Sequence, residues 1–168
     1  MSHSEAGAQS GAEVVYRAEV HVEAAPGMIK LVSLPAKADP VAMGVHGEIA
    51  KHFKLAEGTF TPQTSTLDYI VGATAGCLTG VLSRGLTVRK IAVGDGRLKV
   101  DAIGEIESDE GVLVIRRIHV VAHLKAEESQ REAAKRVAAS CESQCPVYRS
   151  IHKAIDITTE LDFQPIDK

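Results

Sequence analysis

Between Val14 and Ala24 apolar and polar residues alternate: Ala18, Val20 and Val22 share one parity, and Arg17, Glu19, His21 and Glu23 the other. A period of two predicts a half-buried strand. The Pro-Gly signal of "PGMIKLVSL" (26–34) then marks a turn, and the apolar run after it is the hairpin partner. Residues 34–62 carry Pro35, Pro40 and Pro62 and several glycines, which predicts a long excursion with a short helix over His46–Phe53. From Leu67 to Ser83 the period changes. Leu67, Ile70, Val71, Thr74, Cys77, Leu78 and Val81 form one helical stripe, and Gly72, Ala73, Ala75, Gly76 and Gly80 fill the opposite side. Apolar or small residues all round predict a helix packed on all sides. Each glycine costs such a helix ~1 kcal/mol relative to alanine, so close approach of another helix or strand is expected to compensate.

The second half alternates again. Leu98, Val100, Ala102 and Ile106 interleave with Arg97, Lys99, Asp101 and Glu105, giving a strand over Arg97–Glu107. A strand over Val112–Lys125 follows the "SDEG" turn. There Val112, Val114, Ile118, Val120, Ala122 and Leu124 share their parity with Arg116. Either a bulge shifts the register at Arg116–Arg117 or Arg116 points to the apolar side. Glu127–Ser143 is amphipathic, with Ala134, Val137, Ala138 and Cys141 on its stripe. Pro146 interrupts it, a short helix continues through Ile151, and "AIDITTELDF" closes as a strand. The order ββ-α-ββ-αα-β is α+β. Residues 1–13 are small and polar and are expected to form a disordered tail before a single domain over 14–165.

Composition narrows the partners. Of 168 residues 45% are apolar and 24% charged, as in an ordinary globular protein. Aromatics are 4% with no Trp, so aliphatic side chains must fill the core, and burial at a subunit interface is expected to add to it. A net charge of −3 argues against nucleic acid or an anionic membrane as the main partner. No apolar run reaches the ~18 to 20 residues of a membrane helix, and the first residues lack an apolar signal core, so a cytoplasmic protein is expected.

The three cysteines do not make a disulfide framework; in a reducing compartment they suggest packing, a metal site or redox chemistry. Cys77, three turns into an apolar helix, is by itself an inert filler, since only a thiolate is nucleophilic. Its small neighbours nevertheless leave room for a substrate or a second thiol. Cys145 stands before Pro146 at the start of the short helix, whose N–H groups favour a thiolate; the alternative is a packing residue at a helix break. Cys141 is four residues earlier. Within an intact helix that spacing leaves Cβ atoms ~5 to 6 Å apart, against the ~3.8 Å of a disulfide, and its stripe position favours packing. There is no C-x-x-C, and His21, His119 and His123 alternate outward, so no metal is expected.

"STLDYIVGATAGCLTGVL" (65–82), followed some sixty residues later by "SCESQCPVYRSI" (140–151), resembles the OsmC/Ohr family, the osmotically induced and organic hydroperoxide resistance proteins. The likeness covers roughly Tyr16–Leu161, and the Cys-Pro-Val element is its more specific part. The resemblance implies an intertwined homodimer with antiparallel sheets around a buried central helix and sites at the subunit interface. It implies no cofactor, an organic hydroperoxide as substrate, and a dithiol or protein as reductant. Cys77 would be the peroxidatic thiolate and Cys145 the resolving thiol, forming an intramolecular disulfide.

In the family a carboxylate and an arginine attend the reactive cysteine. Asp68, nine residues before Cys77, is the candidate carboxylate, but "STLD" also fits a capping box with Ser65 as N-cap. Nine helical residues rise ~13.5 Å, so Asp68 can serve only the other subunit's cysteine or act through an arginine. The thiolate-stabilising cation is Lys30 or Arg116; Arg17 faces the polar side of its strand, and Arg149 is a basic residue after the Cys-Pro. His46, His52 and His152 are read as surface or loop residues. Two further readings stand beside the peroxidase: a non-catalytic dimer that binds a small apolar ligand, and a slow redox sensor.

Overall fold

The computed structural model describes residues 13–166; all but the last residue of the expected 1–13 tail lie outside them. The chain divides into two compact units at Thr64/Ser65.

In the first unit, strands β1 (His21–Ala25), β2 (Ile29–Ser33) and β3 (Val41–Met43) form an antiparallel sheet in that order, followed by helix α1 (Gly47–His52). Both β3 and α1 fall within the 34–62 excursion. The alternation before His21 does not yield a strand: Val14, Val15, Tyr16 and Val20 are exposed, and so is Val22 inside β1. A period of two says which residues share a face; it does not say that anything covers that face. Among the described residues β1 pairs only with β2, and it is the inner strand β2 that buries Val32.

In the second unit, α2 (Thr66–Val88) lies on a sheet of β4 (Leu98–Asp109), β5 (Val112–Glu127) and β6 (Asp156–Ile166), with α3 (Arg131–Gln144) and α4 (Pro146–Ile151) between β5 and β6. β4 and β5 are an antiparallel hairpin. Its turn residues Glu110 and Gly111 both have positive φ, 48° and 84°, which is why glycine stands there. β5 and β6 run parallel, so this sheet is mixed. Glu105 pairs with Arg117 and Ile106 with Ile115, leaving Arg116 as the extra residue of a bulge. The parity of β5 therefore switches: Ile115 is buried before it, and Ile118, Val120, Ala122 and Leu124 after it.

α2 runs five residues past Ser83, because Leu86, fully buried, continues the line of Leu78 and Leu82. Burying a leucine is worth ~1.5 to 3 kcal/mol, which outweighs the ~1 kcal/mol cost of each glycine. The expected packing on all sides is not what this chain supplies. Thr74, Leu78, Leu82 and Leu86 are buried, yet Ile70, Gly72, Ala73, Gly76 and Gly80 are exposed. A Cβ added at Gly72, Gly76 or Gly80 would meet nothing within 4 Å. The close approaches occur elsewhere, at Gly104 of β4 against Val71 and at Gly85 against Val137 of α3. Among the described residues no helix is long and apolar enough to cross a membrane.

Candidate active site

Cys77 and Cys145 come together from α2 and the start of α4. Their side chains are in hydrogen-bond contact, and neither is in a disulfide. Cys77 is half-buried, whereas Cys145 is fully buried. Cys145 is positioned by the helix break that the sequence encodes. Its backbone is extended (φ −84°, ψ 116°), Pro146 occupies the first turn of α4, and its Sγ accepts the N–H of Tyr148 at 3.4 Å. The expectation that these N–H groups favour a thiolate is outweighed. Burial, then the hydrogen bond with Cys77, push the Cys145 thiol up, and the N–H groups of Tyr148 and Val147 only oppose this. The buried Cys145 thiol is thereby held against losing its proton.

Cys141 points into the core between α3 and α2. Its Sγ–H donates to the carbonyl of Leu78 at 3.4 Å, and burial, helped by Cys145, Glu142 and Cys77, pushes its pKa up to about 11. Among the described residues no group of His, Cys, Asp or Glu has the geometry to hold a metal ion.

The capping box is present: Asp68 Oδ2 accepts from the Ser65 N–H at 2.8 Å and hydroxyl at 2.7 Å, and Asp68 N–H donates to Ser65 Oγ at 3.2 Å. α2 is unbroken between Asp68 and Cys77, so the two do not meet within one chain. Arg116 stands at the bulge with its guanidinium on Asp109 and Glu107. Lys30 is half-buried in β2, opposite Ala24 and Met43, in the first unit. Arg149 is exposed on α4, where His152 stacks on Tyr148 with centroids 5.0 Å apart. Arg17 is exposed outside any strand, His46 is the N-cap of α1, and His52 meets Phe53 edge-on.

One set of supporting residues was not foreseen. Glu142 of α3 accepts from Thr159 Oγ1 of β6 at 2.7 Å and also hydrogen-bonds the Tyr148 side chain. Burial, then Glu142, push the Tyr148 hydroxyl up. Glu142 thereby ties both helices flanking Cys145 to the sheet edge. Its stretch of sequence carries no periodic signal that sets Glu142 apart from an ordinary solvated acid.

A family model described as OsmC-like protein matches residues 58–160. Among curated proteins nothing matches the chain. Solved structures share the fold at low identity. A hypothetical protein from Aquifex aeolicus VF5 has a TM-score of 0.69 at 11% identity, covering 91% of this chain and 100% of that one. The organic hydroperoxide resistance protein OhrB of Bacillus subtilis has 0.57 at 14%, covering 90% and 100%. An organic hydroperoxide resistance protein OsmC from Legionella pneumophila has 0.63 at 14%, covering 89% and 99%.

Proposed function

Because the chain belongs to the OsmC-like protein family, we propose that it is a cytoplasmic, homodimeric thiol peroxidase that reduces organic hydroperoxides. The observation that carries this reading is the Cys77–Cys145 pair: one sulfur half-exposed, the other buried, protonated and in contact with it. The Cys77 thiolate attacks the terminal peroxide oxygen. The O–O bond breaks, the alkoxide takes a proton and leaves as the alcohol, and Cys77 becomes a sulfenic acid. Cys145 sulfur then attacks Cys77 sulfur; the hydroxide leaves with the Cys145 proton as water, and the disulfide closes. A dithiol or protein reductant supplies two electrons and two protons to reopen it. The aliphatic surroundings of Cys77 suit a bulky apolar hydroperoxide better than hydrogen peroxide, which gains nothing from apolar contacts. The reading needs no cofactor, nucleic acid or membrane.

Asp68 and a cation complete the proposed site. Asp68 serves the cysteine of the other subunit, so a mixed dimer of one Cys77→Ser chain and one Asp68→Ala chain keeps half its sites. A dimer with both groups acting within one chain keeps none. Arg116 is already held by two carboxylates, which makes Lys30 the cation to test first. Lys30→Met is expected to slow alkylation of Cys77 at neutral pH.

The deciding experiment is a thiol count on reduced protein, before and after one equivalent of an aryl-alkyl hydroperoxide, with peroxide loss followed in parallel. Three thiols fall to one within seconds as peroxide disappears, peptide mapping finds Cys77 joined to Cys145, and Cys77→Ser consumes no peroxide. Survival of all three thiols overturns the peroxidase and leaves the binding of a small apolar ligand.

A further inference from the structure

The C-terminal end of α2 is capped by a lysine in a conformation that favours glycine. Ile91 N–H donates to the carbonyl of Leu86 at 3.0 Å and Lys90 N–H to that of Thr87 at 2.9 Å, the paired bonds of a Schellman cap. Such a cap ordinarily carries glycine, yet Lys90 takes its left-handed position with φ 59°. The chain returns to the sheet at Arg97, whose carbonyl accepts the N–H of Lys125 at 2.8 Å. Leu98 pairs with Leu124 one step further on, so Arg97 and Lys125 stand opposite each other on one face. Like charges in that arrangement cost stability.

Lys90, Arg97 and Lys125 line one cavity of about 260 Å³. An unpaired cation alone does not mark a site on this chain: among the described residues Arg17, Arg84, Arg136 and Arg149 have no ion pair, and neither do these three. Convergence on one cavity sets the three apart. Among the described residues that line it, Glu127 alone carries a carboxylate. That carboxylate is already engaged, accepting from Ser129 Oγ at 3.3 Å and from the Gln130 N–H. Three cations against one carboxylate leave two positive charges at the cavity, on a chain whose net charge is −3. Ala92, Ala126 and Ile166 supply an apolar wall. A guanidinium grips two oxygens of a phosphate through paired N–H groups, and an ammonium adds a point charge.

We propose that this cavity binds a phosphate dianion, free or as the monoester of a small alcohol. A phosphate monoester carries a charge of about −1.5 to −2 at neutral pH, which matches the two uncompensated positive charges. Arg97 holds two of its oxygens, Lys90 and Lys125 neutralise the remainder, and the carbons of an ester lie on the apolar wall. The volume is below the ~300 Å³ at which drug-sized pockets begin, so the alcohol is small. Val88, the last residue of α2, is eleven residues beyond Cys77, a rise of about 16.5 Å, and none of the three cysteines lines the cavity. The site therefore stands whether or not the cysteine pair reduces peroxides.

The test is calorimetric titration of the reduced full chain, in a phosphate-free buffer, with inorganic phosphate, glycerol 3-phosphate, glycerate and glycerol. The phosphates are expected to bind about 10-fold more tightly than glycerate and to weaken as salt is raised, and glycerol is expected not to bind. Lys125→Gln, at an exposed residue, removes most of that advantage; Arg97→Lys retains part of it; Arg84→Gln, outside the cavity, leaves it unchanged. Without ligand, Lys125→Gln is expected to raise the Tm by roughly 1 to 3 °C, because it relieves the like-charge pair. Tighter binding of glycerol 3-phosphate than of inorganic phosphate makes the ligand an ester; equal or weaker binding makes it phosphate itself. Equal affinity for phosphate and glycerate, or a loss in Arg84→Gln as large as that in Lys125→Gln, reduces the effect to general attraction of anions and overturns the proposal. No binding of either phosphate overturns it in the wild type alone, with no variant needed. Undiminished phosphate affinity in Lys125→Gln, or a Tm that falls, assigns the cations to the fold instead and overturns it too.

Discussion

Cys141 and Cys145 are four residues apart, and the structure gives them opposite tasks. With a pKa of about 11, Cys141 is a thiolate in roughly one molecule in ten thousand at neutral pH, and its hydrogen is engaged by Leu78. Cys141→Ala is therefore expected to leave hydroperoxide turnover within about twofold of wild type, while the small cavity costs ~1 kcal/mol in urea denaturation. A turnover loss as large as that of Cys145→Ser makes Cys141 the resolving thiol instead. Asp68→Ala is expected to cost ~1 kcal/mol through the lost cap, measurable in the reduced protein without any peroxide. The cap was legible in "STLD" because its contacts span three residues. The meeting of Cys77 with Cys145, 68 residues apart, was not legible from spacing. It entered through a family resemblance, since no local rule fixes where α4 docks on α2. The raised pKa of Cys145 was missed for the same reason: the sequence displays the helix N-terminus but not the depth of burial that outweighs it.

Elements were legible where period and punctuation agreed. α2, α3, α4 and the β4–β5 hairpin fall close to the residues expected, and the bulge at Arg116 shows in sequence as a broken parity. β3 and α1 are short and lie among prolines, where neither period can develop. The pairing of β6 with β5 was invisible, because alternation carries no partner. That pairing creates a pH-sensitive clasp on the outer face of the sheet. His123 of β5 sets Nε2 3.1 Å from Asp101 Oδ2 of β4 and Nδ1 2.8 Å from Asp162 Oδ2 of β6. Both nitrogens face acceptors, so both bonds need the imidazolium. The Asp162 hydrogen bond raises the His123 pKa, desolvation opposes it as the next effect, and the charges of Asp101 and Asp162 add to the rise. Lys99 pairs across from His123, and Gln164 shares Asp162 Oδ2 at 2.6 Å. A raised folded pKa contributes stability in full below the unfolded value of ~6.5 and loses it as pH rises through the folded value. The Tm of wild type should therefore fall relative to His123→Gln across that window. A constant difference between the two means that the clasp does not titrate on folding. Asp162, held low chiefly by His123 and then by Gln164, contributes the opposite limb, lost as pH falls through its folded pKa.

At the scale of the molecule, the sequence pattern predicted a helix wrapped on all sides, and the single chain covers only one side. Ile70 is 42% exposed, and it shares the open side of α2 with Gly72, Ala73, Gly76 and Gly80. The proposed homodimer gives this face a partner, and glycine substitutions separate the two cases by sign. In a lone chain a Cβ at Gly76 meets nothing within 4 Å, so Gly76→Ala should stabilise by ~1 kcal/mol through helix propensity and lower backbone entropy in the unfolded state. Where a second α2 packs against that glycine, the same methyl group overpacks the interface at a cost of ~1 to 3 kcal/mol, and Gly76→Leu blocks assembly. Sedimentation equilibrium with parallel denaturation distinguishes them. A dimer that Gly76→Leu converts to a folded monomer places the second subunit on this face. A Gly76→Ala variant that is more stable and unchanged in mass leaves the face to solvent, and with it removes the route by which Asp68 could reach a cysteine across the interface. The residue that decides the assembly is thus one the sequence marks only by its cost to the helix, and the sign of that cost can be read only once both sides of α2 are known.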